Sequence, residues 1–292
     1  AEDNKTTTTY KISVIRGDIE GKNDWILVAG EWTFYNGYGQ QVKNQWVKYD
    51  NKWYHLDING HMEKGWLKIG DKWYFLNEYG IMQTGWLYEK GYWYYLYGDG
   101  SMARNSWITL NGNWYLFNDL GEMQTGWTLF GGKWYFLNEK GVMQKGWITY
   151  DKNKYYLNDD GTMRNGWIFT GTTWYYLDST GKMVRGWQTI NGKRYYFDAK
   201  GAMKTGWVLD NGHWYYLNPI SNGYRGAMQT GWVNVSGTWY YLNPISDGTR
   251  GAMKTGWIND RGTWYYLYPN GAMAHDTTIN GYRLGSNGAW IR

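Results

Sequence analysis

Cysteine is absent from the 292 residues, so neither a disulfide framework nor a thiolate metal site is available. No apolar run is long enough to cross a bilayer, and no membrane span is expected. Phenylalanine (7) and proline (3) are few, and aliphatic residues are sparse. A core of the usual kind draws on many Leu, Ile and Val, so this chain must bury aromatic faces instead. Histidine occurs only at His55, His61, His213 and His275, each in a variable position that reads as surface. No carboxylate pair stands apart for acid–base work, since residues such as Glu78 and Asp178 occupy recurring loops. Asn158-Asp159-Asp160-Gly161 has the look of a calcium loop but lacks the spaced bidentate Glu, and reads as a turn. The formal charge of +5 is a mild excess, scattered rather than gathered, which argues against a nucleic-acid partner. Ala1-Glu2-Asp3 opens without an apolar leader, as a mature exported product would, and equally as a trimmed one would.

What the chain has in excess is Trp (23), Tyr (30) and Gly (41), and these are periodic. Units open at Trp25, Trp46, Trp66, Trp86, Trp107, Trp127, Trp147, Trp167, Trp187, Trp207, Trp232 and Trp257, at a spacing of 20 or 21 residues and then 25 twice. The two long units carry related insertions, Asn218-Pro219-Ile220-Ser221-Asn222-Gly223-Tyr224-Arg225 and Asn243-Pro244-Ile245-Ser246-Asp247-Gly248-Thr249-Arg250. All 11 methionines recur at one address, from Met62 to Met273, where a gap-filler would be scattered. Repeats of this length mean an array whose terminal copies are atypical. Residues 1–24 read as a polar segment with a frayed Thr-rich start and a capping strand over residues 10–15. Residues 25–292 read as the array, with the 21- and 25-residue units as places where it can divide into two sub-modules. After Met273 the pattern decays, with His275-Asp276 in the place of Gly-Trp and Tyr282 in a last weak strand.

Each unit reads as a hairpin. In Gly65-Trp66-Leu67-Lys68-Ile69-Gly70-Asp71-Lys72-Trp73-Tyr74-Phe75-Leu76, two short aromatic strands flank a two-residue turn. Asn111-Gly112, Asn191-Gly192 and Asn211-Gly212 supply the positive φ that such turns need. One hairpin is not stable alone, so a solenoid of stacked hairpins is expected. Alternation of faces pairs Lys68 with Trp73 and Trp66 with Phe75. Trp66 and Trp73 then share one face, and the next hairpin offers the first Tyr of its pair, Tyr94. Three aromatic faces around a gap suit a quaternary ammonium ion, which is weakly hydrated and cannot hydrogen-bond, at about 0.5–2 kcal/mol per ring. The methionine column reads as structural floor.

Gly-Trp-x(6)-Trp-Tyr-Tyr-Leu-x(3,4)-Gly-x-Met-x-x-Gly-Trp resembles the choline-binding repeat of pneumococcal and phage cell-wall proteins, over about nine-tenths of the chain. The resemblance implies an all-β, left-handed superhelix of β-hairpins that holds choline of teichoic acids between consecutive repeats, in cages of two Trp and one Tyr. Carried over position by position, it implies cages of Trp46 and Trp53 with Tyr74, Trp66 and Trp73 with Tyr94, Trp86 and Trp93 with Tyr115, and Trp107 and Trp114 with Tyr135. It continues with Trp127 and Trp134 with Tyr155, Trp167 and Trp174 with Tyr195, Trp207 and Trp214 with Tyr240, and Trp232 and Trp239 with Tyr265. The methionine of the loop that follows each Trp hairpin is expected to close its cage: Met82 for Trp66, and by the same rule Met143, Met183, Met228 and Met253.

Departures from the pattern shape further expectations. Lys154 and Arg194 replace the second tryptophan, so those two cages are closed or filled by the side chain. Gln45 and Ser106 replace the Gly before Trp46 and Trp107 and would distort those cages if positive φ is needed there. Trp25 and Trp32 have Val42 where Met is expected, and Trp257 and Trp264 lack an intact following hairpin, so neither pair is taken as a site. Basic residues before Gly-Trp, such as Lys64 and Lys204, could meet teichoic phosphate but read as solvated surface. The family's autolysins carry a catalytic domain beside their repeats, and the 24 non-array residues here are too few for one. The resemblance therefore implies a non-catalytic, extracellular protein held non-covalently on the cell wall. Its partners would be choline-decorated teichoic and lipoteichoic acid and, indirectly, autolysins, with choline as ligand and no cofactor. The alternatives are a murein hydrolase and a glucan- or toxin-type carbohydrate reader, whose repeats resemble Lys193-Arg194-Tyr195-Tyr196-Phe197.

Overall fold

A computed structural model describes residues 23–291. The expected frayed start and capping strand lie outside the described residues. Among those described the chain is all-β, without a helix, and runs as twelve two-stranded antiparallel hairpins followed by one three-stranded sheet. It divides into two compact units, residues 1–144 and 145–292.

The hairpin register follows from alternation and turn chemistry. Gly65–Ile69 pairs with Lys72–Leu76, with Trp66 opposite Phe75 and Lys68 opposite Trp73. Where the turn is Asn111-Gly112, both residues have positive φ (50° and 77°), the backbone that twists with the strands. The last residue of each second strand points inward. Leu56, Leu76, Leu96, Phe117 and Leu137 in the first unit, and Leu157, Leu177, Phe197, Leu217, Leu242 and Leu267 in the second, are 0–1% exposed. Within each unit these side chains are the most deeply buried part of the core, which also takes in tyrosines such as Tyr54 and Tyr195, with Trp25, Trp147 and Trp167 packed against it.

Between hairpins, the loop folds backwards. The Asn77 carboxamide oxygen accepts the N–H groups of Tyr79 and Ile81, closing a turn that brings Met82 beside Leu76. The Met82 N–H then donates to the carbonyl of Trp53 in the preceding hairpin at 2.8 Å. Met62 does the same to Trp32, Met102 to Trp73, Met123 to Trp93 and Met143 to Trp114. In the second unit Met183 bonds Lys154, Met203 Trp174, Met228 Arg194, Met253 Trp214 and Met273 Trp239. Within each unit the methionine side chain lies against the loop glycine of the next repeat, Met82 against Gly100 and Met183 against Gly201, for example.

Four local expectations are corrected. The methionine position before Trp46 is filled by Gln41, which bridges Tyr35 and packs under Gly60, not by Val42. Gln45 and Ser106 do not take the positive φ of the glycine; Asn44 (49°) and Asn105 (44°), one residue earlier, take it. Each is the extra residue of a 21-residue unit, so the strand entry is shifted, not strained. Asp276 (50°) plays the same part near the C-terminus, which leaves Thr277 in the place of the glycine. His55 is buried (6%), paired with Glu63 and edge-on to Trp46, where most other hairpins carry Phe or Tyr and one carries Leu116. The insertions leave the strands intact. Each is built around a buried asparagine: Asn243 Nδ2 donates to Asp247 and Thr249, and Asn218 Nδ2 to Asn222 and the Tyr224 carbonyl.

Gly100 and Gly91 both have positive φ (83° and 92°), but a Cβ on Gly100 would run into the Met82 side chain whereas one on Gly91 meets open space. Gly100→Ala is expected to cost about 2–4 kcal/mol and Gly91→Ala about 1–2 kcal/mol, the difference being overpacking added to backbone strain. Urea unfolding of the two variants measures this, and equal losses would contradict the packing role of Met82.

Candidate functional site

The strand alternation sets Trp66 and Trp73 on one face of their hairpin, diagonal to each other. Trp66 is held edge-on by Phe75 of its own hairpin at 5.1 Å and by Tyr94 of the next at 4.8 Å. Trp73 stands nearly perpendicular to it, at 82° with centroids 6.5 Å apart. A cation about 4.5 Å above each of two perpendicular ring faces requires centroids about 6.4 Å apart. Trp86 and Trp93 (6.1 Å, 89°), Trp107 and Trp114 (6.5 Å, 78°), Trp167 and Trp174 (6.1 Å, 85°), and Trp207 and Trp214 (6.5 Å, 88°) repeat this corner.

The third wall is the first Tyr of the next pair. Trp46 meets Tyr74 at 5.1 Å, Trp86 Tyr115 at 5.0 Å, Trp107 Tyr135 at 4.9 Å and Trp167 Tyr195 at 5.0 Å. Trp207 meets Tyr240 and Trp232 meets Tyr265, both at 4.8 Å. Trp46 thus keeps the tyrosine wall, and Trp107 both the corner and the wall, without a preceding glycine. Trp127 and Trp134 belong to the first unit and Tyr155 to the second. The second tryptophans are open: Trp53, Trp93, Trp114, Trp134, Trp214 and Trp239 are 41–45% exposed. Repeated exposure of the largest apolar side chain marks a binding surface. Burial raises the phenol pKa of Tyr94 and Tyr195 above the ordinary value, so these walls stay neutral through the physiological range.

The methionines are displaced by one unit from the expected assignment. Because the loop folds back, Met102, not Met82, bonds the Trp73 carbonyl, and Met82 bonds the carbonyl of Trp53. Met123 lines the Trp86–Trp93–Tyr115 pocket and Met203 the Trp167–Trp174–Tyr195 pocket. By the same hydrogen bonds Met143 goes with Trp114 and Met253 with Trp214, while Met183 and Met228 fall at the junctions of Lys154 and Arg194. At those junctions the other two walls persist, Trp147 with Tyr175 at 5.1 Å and Trp187 with Tyr215 at 4.9 Å. The Arg194 guanidinium lies 4.6 Å over Trp187, where a ligand cation would be. Asp210 and Asp260 accept the indole N–H of Trp187 and Trp232 at 3.1 Å and fix those rings.

Two pairs set aside on sequence are assembled. Trp25 meets Tyr54 at 4.9 Å, Trp32 is exposed, and Met62 bonds Trp32, while Val42 is a buried member of the core cluster against which Trp25 packs. Trp257 meets Tyr282 at 5.5 Å, and Tyr282 meets Trp290 of the last strand at 5.6 Å. Trp257, Trp264, Tyr282 and Trp290 enclose a cavity of about 370 Å³. The signal was present: Tyr282-Arg283-Leu284 keeps the first Tyr and the core Leu of Tyr-Tyr-Leu, and Leu284 is 1% exposed.

The model of the choline-binding repeat matches residues 63–107, 105–145, 125–158, 144–185 and 184–224, and that of a putative cell wall binding repeat matches 44–62, 230–244 and 255–273. Among solved structures the chain is similar to choline binding protein F from Streptococcus pneumoniae in the presence of a peptidoglycan analogue (tetrasaccharide-pentapeptide). The identity is 31% and the TM-score 0.61, over 87% of this chain and 100% of that one. CbpJ from Streptococcus pneumoniae TIGR4 is 30% identical, with a TM-score of 0.57 over 92% of this chain and 99% of that one. The modular autolysin LytC from Streptococcus pneumoniae is 25% identical, with a TM-score of 0.52 over 79% of this chain and 52% of that one. No curated protein matches the chain in sequence.

Trp290→Ala is expected to weaken tetramethylammonium binding at the C-terminal cavity about 5- to 30-fold, the loss of one cation–π face of ~1–2 kcal/mol. The Trp264 resonance in 5-fluorotryptophan-labelled protein reports it. A Trp264 titration midpoint unchanged by the substitution would show that Trp290 is no wall.

Proposed function

The chain belongs to the family of choline-binding repeat proteins, and from that premise we propose that it is a non-catalytic surface protein anchored to the choline of teichoic and lipoteichoic acids. The observation that carries the reading is the repeated corner of two perpendicular tryptophan faces completed by a tyrosine of the next hairpin, as in Trp66, Trp73 and Tyr94. Such a corner offers ring faces, which suit a methylated ammonium that has no hydrogen bond to form. A primary ammonium is strongly hydrated and pays for leaving water. The choline binding protein F structure in complex with ipratropium supports the ligand class, since ipratropium is a quaternary ammonium compound.

Each cage offers three rings and is weak. Several on one chain, facing a surface dense in choline, bind together with an avidity far above that of any one. The attachment is non-covalent and reversible by free choline. A protein that occupies wall choline withholds it from autolysins, whose member LytC carries similar repeats, and so restrains wall hydrolysis. LytC also supports a second reading, in which such repeats serve as the wall-binding module of a hydrolase. A glucan- or toxin-type reader is favoured only where the second tryptophan is missing, at the junctions of Trp147 with Lys154 and of Trp187 with Arg194.

The protein is expected to be retained on choline-bearing walls, released by free choline, and not retained on walls that carry ethanolamine in place of choline. Equal retention on both walls would overturn the choline reading. In the same assay, LytC-type autolysis of choline-bearing walls should slow as this protein is added. Unchanged hydrolysis at saturating protein rejects the restraining role, and wall lysis by this protein alone establishes the hydrolase reading.

A further inference from the structure

The two insertions and the arginine that plugs a cage meet at one place. The first insertion, residues 218–225, is a partition. Ser221, Gly223 and Arg225 line the pocket of Trp167, Trp174 and Tyr195. Asn218, Asn222 and Tyr224 of the same loop line a second cavity of about 370 Å³ on its other side. Into that cavity come Lys193 and Arg194 from one strand and Arg250 from the second insertion, with Gln229 and Thr230 beside them. No carboxylate lines it. None of the three cations is in an ion pair among the described residues.

Like charges gathered in a cavity that no carboxylate lines repel, and a cavity focuses their field. Two of the three are held in place by aromatic faces: the Lys193 ammonium lies 4.1 Å over Tyr224, and the Arg194 guanidinium 4.6 Å over Trp187. Stacking uses the face of the guanidinium and leaves its N–H edge free, the edge that matches two oxygens of a phosphate. A cavity lined by three cations and by no carboxylate is a site for a tetrahedral oxyanion. Choline attached to a polymer through a phosphate ester brings such a group with it, one short linker from the ammonium.

We propose that Lys193, Arg194 and Arg250 form a phosphate subsite that reads the phosphodiester of a choline-bearing polymer whose ammonium occupies the adjacent cage. The polymer part rests on the choline reading above; the oxyanion site does not. The five-residue lengthening of two units then has a purpose: it carries Tyr224 and Arg250 to the cavity and Arg225 to the rim of the neighbouring cage.

Calorimetric titration of the whole chain with inorganic phosphate, dimethyl phosphate and, at matched ionic strength, chloride tests this. Phosphate and dimethyl phosphate should saturate and chloride should not. The double variant Lys193→Ala/Arg250→Ala should lose at least tenfold in phosphate affinity while its choline titration is unchanged, which also shows that it is folded. Arg194→Trp should lose phosphate and gain one choline site. Phosphate heats indistinguishable from chloride, or a double variant that keeps its phosphate affinity, would overturn the subsite. Uptake of inorganic phosphate with rejection of dimethyl phosphate would overturn the polymer part. Choline binding without phosphate binding removes this proposal alone; phosphate binding without choline binding leaves the subsite and removes the choline reading.

Discussion

Within each unit, the backbone hydrogen bond from a loop methionine to the second strand of the preceding hairpin carries the architecture. A two-stranded hairpin has few residues to bury, chief among them the leucine or phenylalanine at the end of its second strand, and too little else to be stable. Met82 N–H to the Trp53 carbonyl, at 2.8 Å, ties the loop of one hairpin to the edge of the one before it. That edge would otherwise be unpaired, and an unpaired edge invites wrong partners. The same bond sets how far apart successive hairpins lie, and the loop glycine beyond each methionine leaves room for the thioether. Spacing is therefore decided by main chain and by a flexible side chain against a glycine, not by the tryptophans.

This separates fold from function. Met183 and Met228 bond Lys154 and Arg194 at 2.8 Å, as their neighbours bond tryptophan, because a carbonyl is indifferent to the side chain it carries. The Trp147–Tyr175 and Trp187–Tyr215 contacts survive at 5.1 and 4.9 Å. A junction can lose its second tryptophan and keep its shape, so the array can vary its ligand chemistry unit by unit while each hairpin stays in register. Nearest-neighbour stacking makes the variation local.

Much of this was legible in the residues. Period-two alternation about a two-residue turn gives the pairing of Trp66 with Phe75, and the same alternation selects Tyr94 over Tyr95 as the third wall; Tyr95 instead braces Trp86 of its own hairpin at 5.4 Å. The methionine assignment was not legible. Whether a loop folds forward or back is settled by a main-chain bond between segments about 30 residues apart, and no side chain in the loop announces it. The positive φ of Asn44 and Asn105 was hidden for a related reason: asparagine tolerates the left-handed region, so an inserted residue can take over from glycine without altering the strands. Tyr282 was overlooked because the tryptophan that should introduce its hairpin is gone, although the tyrosine and leucine that matter for the cage and the core remain.

The cages that result are not equivalent, and the difference lies in their second layer. Asp260 fixes the Trp232 indole at 3.1 Å and also receives the Tyr241 hydroxyl, placing a carboxylate behind the cage of Trp232 and Tyr265. Asp210 does the same behind Trp187, yet there the cation is already supplied by Arg194. A carboxylate behind an indole deepens the negative potential at its face, which helps a ligand cation in the first case and holds an internal one in the second. One device thus serves opposite ends, according to whether the neighbouring strand offers tryptophan or arginine at a single position. At these two junctions the residue at that one address decides which cation the cage receives, and the aspartate of the next hairpin adds to its hold.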